Sequence, residues 1–111
     1  MIKEKKLGNT FTSISSIGQG IGLYKWRDEH VDVIREGIDL GMYYLDTAES
    51  YDDGNSERII AKAIKGKRDQ VVIGTKVSPN HHCFDDVIWA AERSLRRLEI
   101  DCIDLYQLHW P

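Results

Sequence analysis

Three times in this chain a short β-prone run ends on a polar side chain that can carry chemistry. Tyr43-Tyr44-Leu45 ends on Asp46, Val71-Val72-Ile73-Gly74-Thr75 on Lys76, and Ile103-Asp104-Leu105-Tyr106-Gln107-Leu108 on His109. Asp46 and Lys76 are 30 residues apart, and Lys76 and His109 are 33 apart. Each interval holds one amphipathic segment of helical length. A strand, a crossover helix and a return strand need about 30 residues, and strands joined in that way run parallel. The period therefore restricts the chain to an α/β fold with a parallel sheet. Two architectures satisfy it: an open doubly wound sheet, or part of a (β/α)8 barrel. In both, the exits of the strands are where ligands bind and reactions occur.

The remaining elements follow from local signals. Residues 5–12 read as a hairpin with Gly8-Asn9 as its turn, and a short strand follows over 16–20. Gly18-Gln19-Gly20-Ile21-Gly22 places a glycine at every second position. Such a loop lets the backbone approach a ligand closely, although its spacing is not that of a dinucleotide fingerprint. Asp28 is expected to cap a helix running to Leu40, with Gly41 just beyond its end. Val31, Ile34 and Ile38 give that helix one apolar face. A strand is expected over 43–46, then a helix over 56–65 with Ile60, Ala63 and Ile64 inward and Gly66 as the stop. The run over 71–76 is rich in β-branched residues and reads as a strand. After a break at Pro79-Asn80, Asp85 is expected to cap a helix to Leu98, with Ile88, Ala91, Leu95 and Leu98 on its buried stripe. A last strand covers 103–109, and Pro111 follows Trp110. The expected order is a hairpin, then four parallel strands alternating with three helices.

Composition narrows the class of function. The 111 residues make one small domain, and apolar residues at 41% suffice for a core. A net charge of −3 argues against a partner held through phosphate contacts to nucleic acid. The run Lys3-Glu4-Lys5-Lys6 is broken by an acid and reads as a solvated edge. The N-terminal residues hold no continuous apolar segment, so no secretory signal is expected, and no apolar window nears the ~20 residues of a membrane span. Cys83 and Cys102 form no CxxC pair, which fits free thiols and a cytoplasmic setting. His81-His82-Cys83 has poor spacing for a metal, and no second ligand pair follows, so no metal is expected.

Asp46, Tyr51, Lys76 and His109 suit the reduction of a carbonyl. Hydride addition leaves negative charge on oxygen, and a proton must reach it. A phenol, with a pKa of about 10, keeps its proton at neutral pH. An ammonium beside it stabilises the phenolate and makes it a better acid. A carboxylate fixes the ammonium, and an imidazole orients the substrate oxygen. Taken singly, each has a plainer reading: Asp46 as a turn cap, Tyr51 and Lys76 as surface residues, His109 as a core histidine. Three successive strand exits carrying them together favour a shared site. Trp110 would then wall a substrate pocket or merely cover the rim. A Schiff-base aldolase with Lys76 as nucleophile is disfavoured, because it leaves Tyr51 and Asp46 unused.

Over Gly41-Met42-Tyr43-Tyr44-Leu45-Asp46-Thr47-Ala48-Glu49-Ser50-Tyr51 and Asn55-Ser56-Glu57, the chain resembles the aldo-keto reductases. The likeness continues through Val72-Ile73-Gly74-Thr75-Lys76 and Ser94-Leu95-Arg96-Arg97-Leu98, and closes at Ile103 to Pro111. The resemblance implies that residues 1–111 are the N-terminal half of a (β/α)8 TIM barrel, truncated after strand four. It implies NADPH, or NADH, as hydride donor and a small aldehyde or ketone as substrate. Tyr51 would be the general acid, tuned by Lys76 and paired through it with Asp46. His109 would orient the carbonyl, with Trp110 beside the substrate. Gly20, Ile21, Gly22 and Asp46 would lie against the cofactor. One position departs from the family pattern: Asp52 stands where glycine commonly follows the tyrosine, which puts an anion next to Tyr51. A half barrel of this kind is expected to need a complementing C-terminal half, or a homodimer, and to be inactive alone. The alternative is a non-catalytic barrel module acting through protein interaction.

Overall fold

A computed structural model describes residues 1–110; Pro111 lies outside the described residues. The hairpin pairs β1 (Glu4–Lys6) with β2 (Ser13–Ser15) antiparallel, with Lys5 opposite Ile14. Its loop is longer than a two-residue turn. Leu7 N–H bonds Thr12 O, and Gly8 takes a φ of +57°.

The main sheet has four strands in the order β3-β4-β5-β6, all parallel. They are β3 (Gln19–Gly20), β4 (Tyr44–Asp46), β5 (Val72–Val77) and β6 (Leu105–Leu108). Three helices connect them: α1 (Val31–Asp39), α2 (Asn55–Ala63) and α3 (Phe84–Leu98). The first strand is shorter than the sequence suggests. Gln19 instead uses its side-chain amide to donate to Ile34 O and Met42 O, which ties β3 to α1.

In-register parallel strands put facing residues on the same side of the sheet. Leu45 stands beside Ile73, and both are fully buried. With Ile34 and Ile38 of α1, Ile59 and Ile60 of α2, and Leu98 of α3 they form one core cluster. All three helices therefore cover the same face. That choice separates the two architectures left open by the period, because a doubly wound sheet carries helices on both faces. The other face presents Tyr44, Asp46, Gly74 and Lys76, the inner wall of a barrel arc.

The helix boundaries and faces bring three corrections. Asp28 does not cap α1. It opens a short helical turn, and its carboxylate pairs with Lys62 of α2. Asp85 lies in the first turn of α3, and the residue that caps that helix is Cys83, which offers no side-chain hydrogen bond. The buried stripe of α3 is Ala90, Ser94 and Leu98, whereas Ile88 is exposed. Ala90 and Ser94 are small, and Ser94 Oγ accepts from Arg97, whose guanidinium meets a buried carboxylate on α2.

Candidate active site

The site grows from the exits of β4, β5 and β6. Asp46 ends β4, opposite Gly74, and Lys76 lies two residues further along β5. Thr47 N–H bonds Gly74 O and Glu49 N–H bonds Lys76 O, so the chain leaving β4 still follows β5. His109 N–H bonds Val77 O and carries β6 one residue past its ladder. These bonds set the three exits side by side.

All four polar side chains expected at the site come together. Lys76 Nζ donates to Asp46 Oδ2 at 2.7 Å and to Thr47 O at 2.7 Å. The same ammonium stands 5.4 Å from the centre of the Tyr51 ring. Tyr51 Oη and His109 Nε2 are 3.3 Å apart, a hydrogen bond whose direction follows the imidazole tautomer. The two rings meet edge to face with centres 5.4 Å apart. Trp110 stacks on His109 at 5.4 Å with its outer surface exposed. An acid, an ammonium, a phenol and an imidazole therefore form one continuous set across three strands.

Tyr51 is presented by an unusual loop. Asp52, Asp53 and Gly54 have φ values of 48°, 54° and 78°. Three consecutive left-handed residues are rare, since each non-glycine residue there costs about 1–2 kcal/mol. This explains why glycine suits the position after the tyrosine and why aspartate, tolerant of the left-handed region, can replace it. Asp52 does not face Tyr51. Its carboxylate accepts from Lys25 Nζ at 2.9 Å, Trp26 N–H at 3.1 Å and Asn55 Nδ2 at 2.9 Å. It latches the tyrosine loop to the 22–26 segment and to the start of α2.

Two further features escaped the sequence reading. The first is Tyr44, whose ring lies across the inner face in a slot between two glycines. A Cβ on Gly18 would come within 2.8 Å of Tyr44 Cδ1, and one on Gly74 within 2.8 Å of its hydroxyl. That hydroxyl donates to Asp46 Oδ1 at 3.3 Å, leaving Oδ2 for Lys76. Burial, and then the nearby Asp46 carboxylate, push the Tyr44 phenol up from its usual value. The second is Glu57, whose fully buried carboxylate accepts from Thr75 Oγ1 at 2.7 Å and Arg97 Nε at 2.5 Å. An acid in an apolar helical stripe signals such a pair only when its cation, here 40 residues away, can be placed.

Of the other expected residues, Ile21 is buried in the core. Its N–H bonds Asp46 O, and its O accepts from Thr47 Oγ1. Gly20 and Gly22 border open space, where an added Cβ would meet nothing within 4 Å. The backbone there has room for a ligand to pack against it. His81 and His82 turn to other tasks: His81 Nδ1 lies 2.9 Å from Glu49 Oε1, and His82 reaches Val77 O. Among the described residues, no three His, Cys, Asp or Glu side chains cluster to hold a metal. Nor is any helix long and apolar enough to cross a membrane.

Comparison with known proteins fixes the lineage. The family model described as "Aldo/keto reductase family" matches residues 16–111. The chain belongs to the aldo/keto reductase family. Methylglyoxal reductase YeaE of Escherichia coli is 40% identical over 102 residues, covering 88% of this chain and 36% of that protein. The crystal structure of the thermostable aldo-keto reductase Tm1743 superposes with a TM-score of 0.92 at 37% identity, covering 99% of this chain and 43% of that one. An aldo-keto reductase from Klebsiella pneumoniae in complex with NADPH gives a TM-score of 0.82 at 40% identity, covering 88% of this chain and 36% of its own. The arc of parallel strands is thus part of an aldo/keto reductase α/β barrel, and the chain spans about two fifths of the length of these relatives.

The loops around the site carry an acid-sensitive prediction. Burial alone would raise the Glu49 carboxyl. Hydrogen bonds from Ser78 N–H and from His81, with the His81 charge, outweigh it and hold Glu49 below the usual range. Hydrogen bonds from Lys25, then Asn55, hold Asp52 low as well. A carboxyl whose folded pKa is depressed stabilises the fold above its unfolded pKa of about 4, and that contribution is lost as pH falls through the folded value. Urea melts are therefore expected to weaken steadily below about pH 4. Glu49→Gln and Asp52→Asn are each expected to flatten that acid limb. An unchanged limb in both variants would show that these carboxylates do not link the loops to stability.

Proposed function

We propose that this chain supplies the proton-transfer half of a nicotinamide-dependent carbonyl reductase. The observation that carries this reading is the Tyr51–His109 hydrogen bond set beside the Lys76–Asp46 pair. Tyr51 Oη and His109 Nε2 lie 3.3 Å apart. A carbonyl oxygen placed between them replaces their mutual bond with one to each group. NADPH, or NADH, when bound, supplies the hydride to the carbonyl carbon. As the C=O π bond breaks, the new alkoxide oxygen takes the Tyr51 proton, and the tyrosinate left behind is reprotonated from solvent. The Lys76 ammonium, held by Asp46, offsets the charge that forms on the ring. His109 orients the oxygen, and Trp110 closes one side against water. Asp46 and the open backbone at Gly20 and Gly22 fit the near end of the cofactor, with Ile21 holding that loop in place from the core.

The remaining contacts to the cofactor and to the far side of the substrate fall on strands beyond β6 in a full barrel. The 111 residues alone are therefore proposed to turn over poorly, and to need a complementing C-terminal half, in the same chain or another, or a second copy. Small aldehydes and ketones are the substrate class that such a site accepts. The test is NADPH consumption with simple carbonyls, by the chain alone and by the chain joined to the later strand–helix units of a relative. Turnover that appears only on joining, and depends on Tyr51, supports the reading. Robust Tyr51-dependent turnover by the 111 residues alone would overturn the requirement for the rest of the barrel.

A further inference from the structure

On the side of the sheet away from Lys76, α2 and α3 enclose a groove of about 240 Å³ lined by Arg58, Trp89, Arg93, Arg96 and Arg97. Thr75 points to that side, where it meets Glu57, so its neighbour Lys76 points to the other. On α3, Trp89, Arg93 and Arg97 recur every four residues, one position before the buried Ala90–Ser94–Leu98 stripe. The helix thus sets a cationic row beside its core edge. Two of the four guanidinium groups are already neutralised, Arg97 by Glu57 and Arg96 by Glu92. Among the described residues, Arg58 and Arg93 have no carboxylate partner; Arg58 reaches only Asp53 O, at 3.5 Å. Arg93 lies with its guanidinium carbon 4.5 Å from the centre of the Trp89 ring. The Arg93 side chain donates no hydrogen bond among the described residues, so its N–H groups are free to donate as a fork.

From this we infer that the α2–α3 groove binds a multiply charged oxyanion, a phosphoryl or polycarboxylate group, between Arg58 and Arg93 above Trp89. Like charges crowded on two packed helices repel, and a bridging dianion removes that cost while accepting bidentate bonds. An adjoining cleft of about 300 Å³ shares Arg58, Arg93 and Arg97 but also holds Glu49 and Asp53. Those two carboxylates oppose an anion there and confine it to the arginine end. The groove is formed wholly by α2 and α3, so the inference stands apart from the reductase reading.

The experiment titrates pyrophosphate and, separately, citrate into the purified chain at fixed ionic strength, read by calorimetry and tryptophan fluorescence. Saturable one-to-one binding is expected, weakened about tenfold or more in Arg58→Ala and in Arg93→Ala. Both side chains are exposed, so unchanged circular dichroism and melting are expected in each variant. Arg93→Lys keeps the charge without the fork and is expected to recover only part of the affinity. Saturation by pyrophosphate alone names a phosphoryl ligand and by citrate alone a polycarboxylate; either upholds the site. The proposal fails if neither anion saturates, if sodium chloride reproduces the signal, or if both alanine variants bind like the wild type.

Discussion

Arg97→Ala is expected to cost about 3–5 kcal/mol of stability, the loss typical of a buried ion pair stripped of one partner. Native domains have only about 5–15 kcal/mol in total, so the variant loses a large share of its stability. The cause is Glu57, which has no exposure and depends on Arg97 Nε and Thr75 Oγ1. Without the guanidinium its charge stays in the core with one hydroxyl for company. Arg97 also donates to Ser94 Oγ at 3.1 Å, and its side chain lies flat against Gly54, where an added Cβ would sit 2.7 Å from Arg97 Cδ. Joining Glu57→Gln to Arg97→Met is expected to restore most of the loss, because a neutral, filled pocket no longer holds an isolated charge. Urea denaturation of the three forms makes the comparison. A cost below about 1 kcal/mol for Arg97→Ala would mean that the pair behaves like a surface bridge.

That pair also links the fold to the site. Thr75 precedes Lys76 on β5, and Gly54 ends the left-handed turn that follows Tyr51. Glu57 and Arg97 therefore hold, from the helix side, the two segments that carry the ammonium and the phenol.

The sheet and the meeting of Asp46, Tyr51, Lys76 and His109 were legible because parallel pairing converts a sequence period into spatial neighbourhood. Asp46, Lys76 and His109 each leave their strand at the same end, and no long-range information beyond the register was needed. The α3 face was not legible in that way. Ile88, Ala91, Leu95 and Leu98 follow helical spacing, but the true inner row is rotated to Ala90, Ser94 and Leu98. The rotation brings Arg97 over Glu57, and apolar periodicity carries no signal for a charge that moves inward to meet a partner. Asp52 was legible only in part. Its place after Tyr51 left open an effect on the phenol or an altered loop. The left-handed backbone turns its carboxylate toward Lys25, Trp26 and Asn55 instead. Tyr44 was readable as a strand residue. Its slot depends on Gly18 and Gly74 flanking it on both neighbouring strands, which only the register reveals.

In a form of the protein joined into a closed barrel, Tyr51→Phe is expected to lower kcat by about 10²- to 10⁴-fold, the usual contribution of a positioned general acid. The substitution removes one oxygen and leaves the ring, so its edge contact with His109 and the Lys76 ammonium beside it can persist. Substrate and cofactor binding should then change little, and the loss should appear in kcat more than in KM. Lys76→Met should behave differently. It strips Asp46 Oδ2 and Thr47 O of their shared donor, so it is expected to disturb the site's structure as well as its rate. If Tyr51→Phe keeps more than about a tenth of the wild-type kcat, the proton reaches the substrate by another route. His109 would be the candidate within reach, since its Nε2 lies 3.3 Å from the missing hydroxyl's place. A matching loss in His109→Gln, with Tyr51 intact, would then identify the imidazole as the acid and leave the phenol an orienting role.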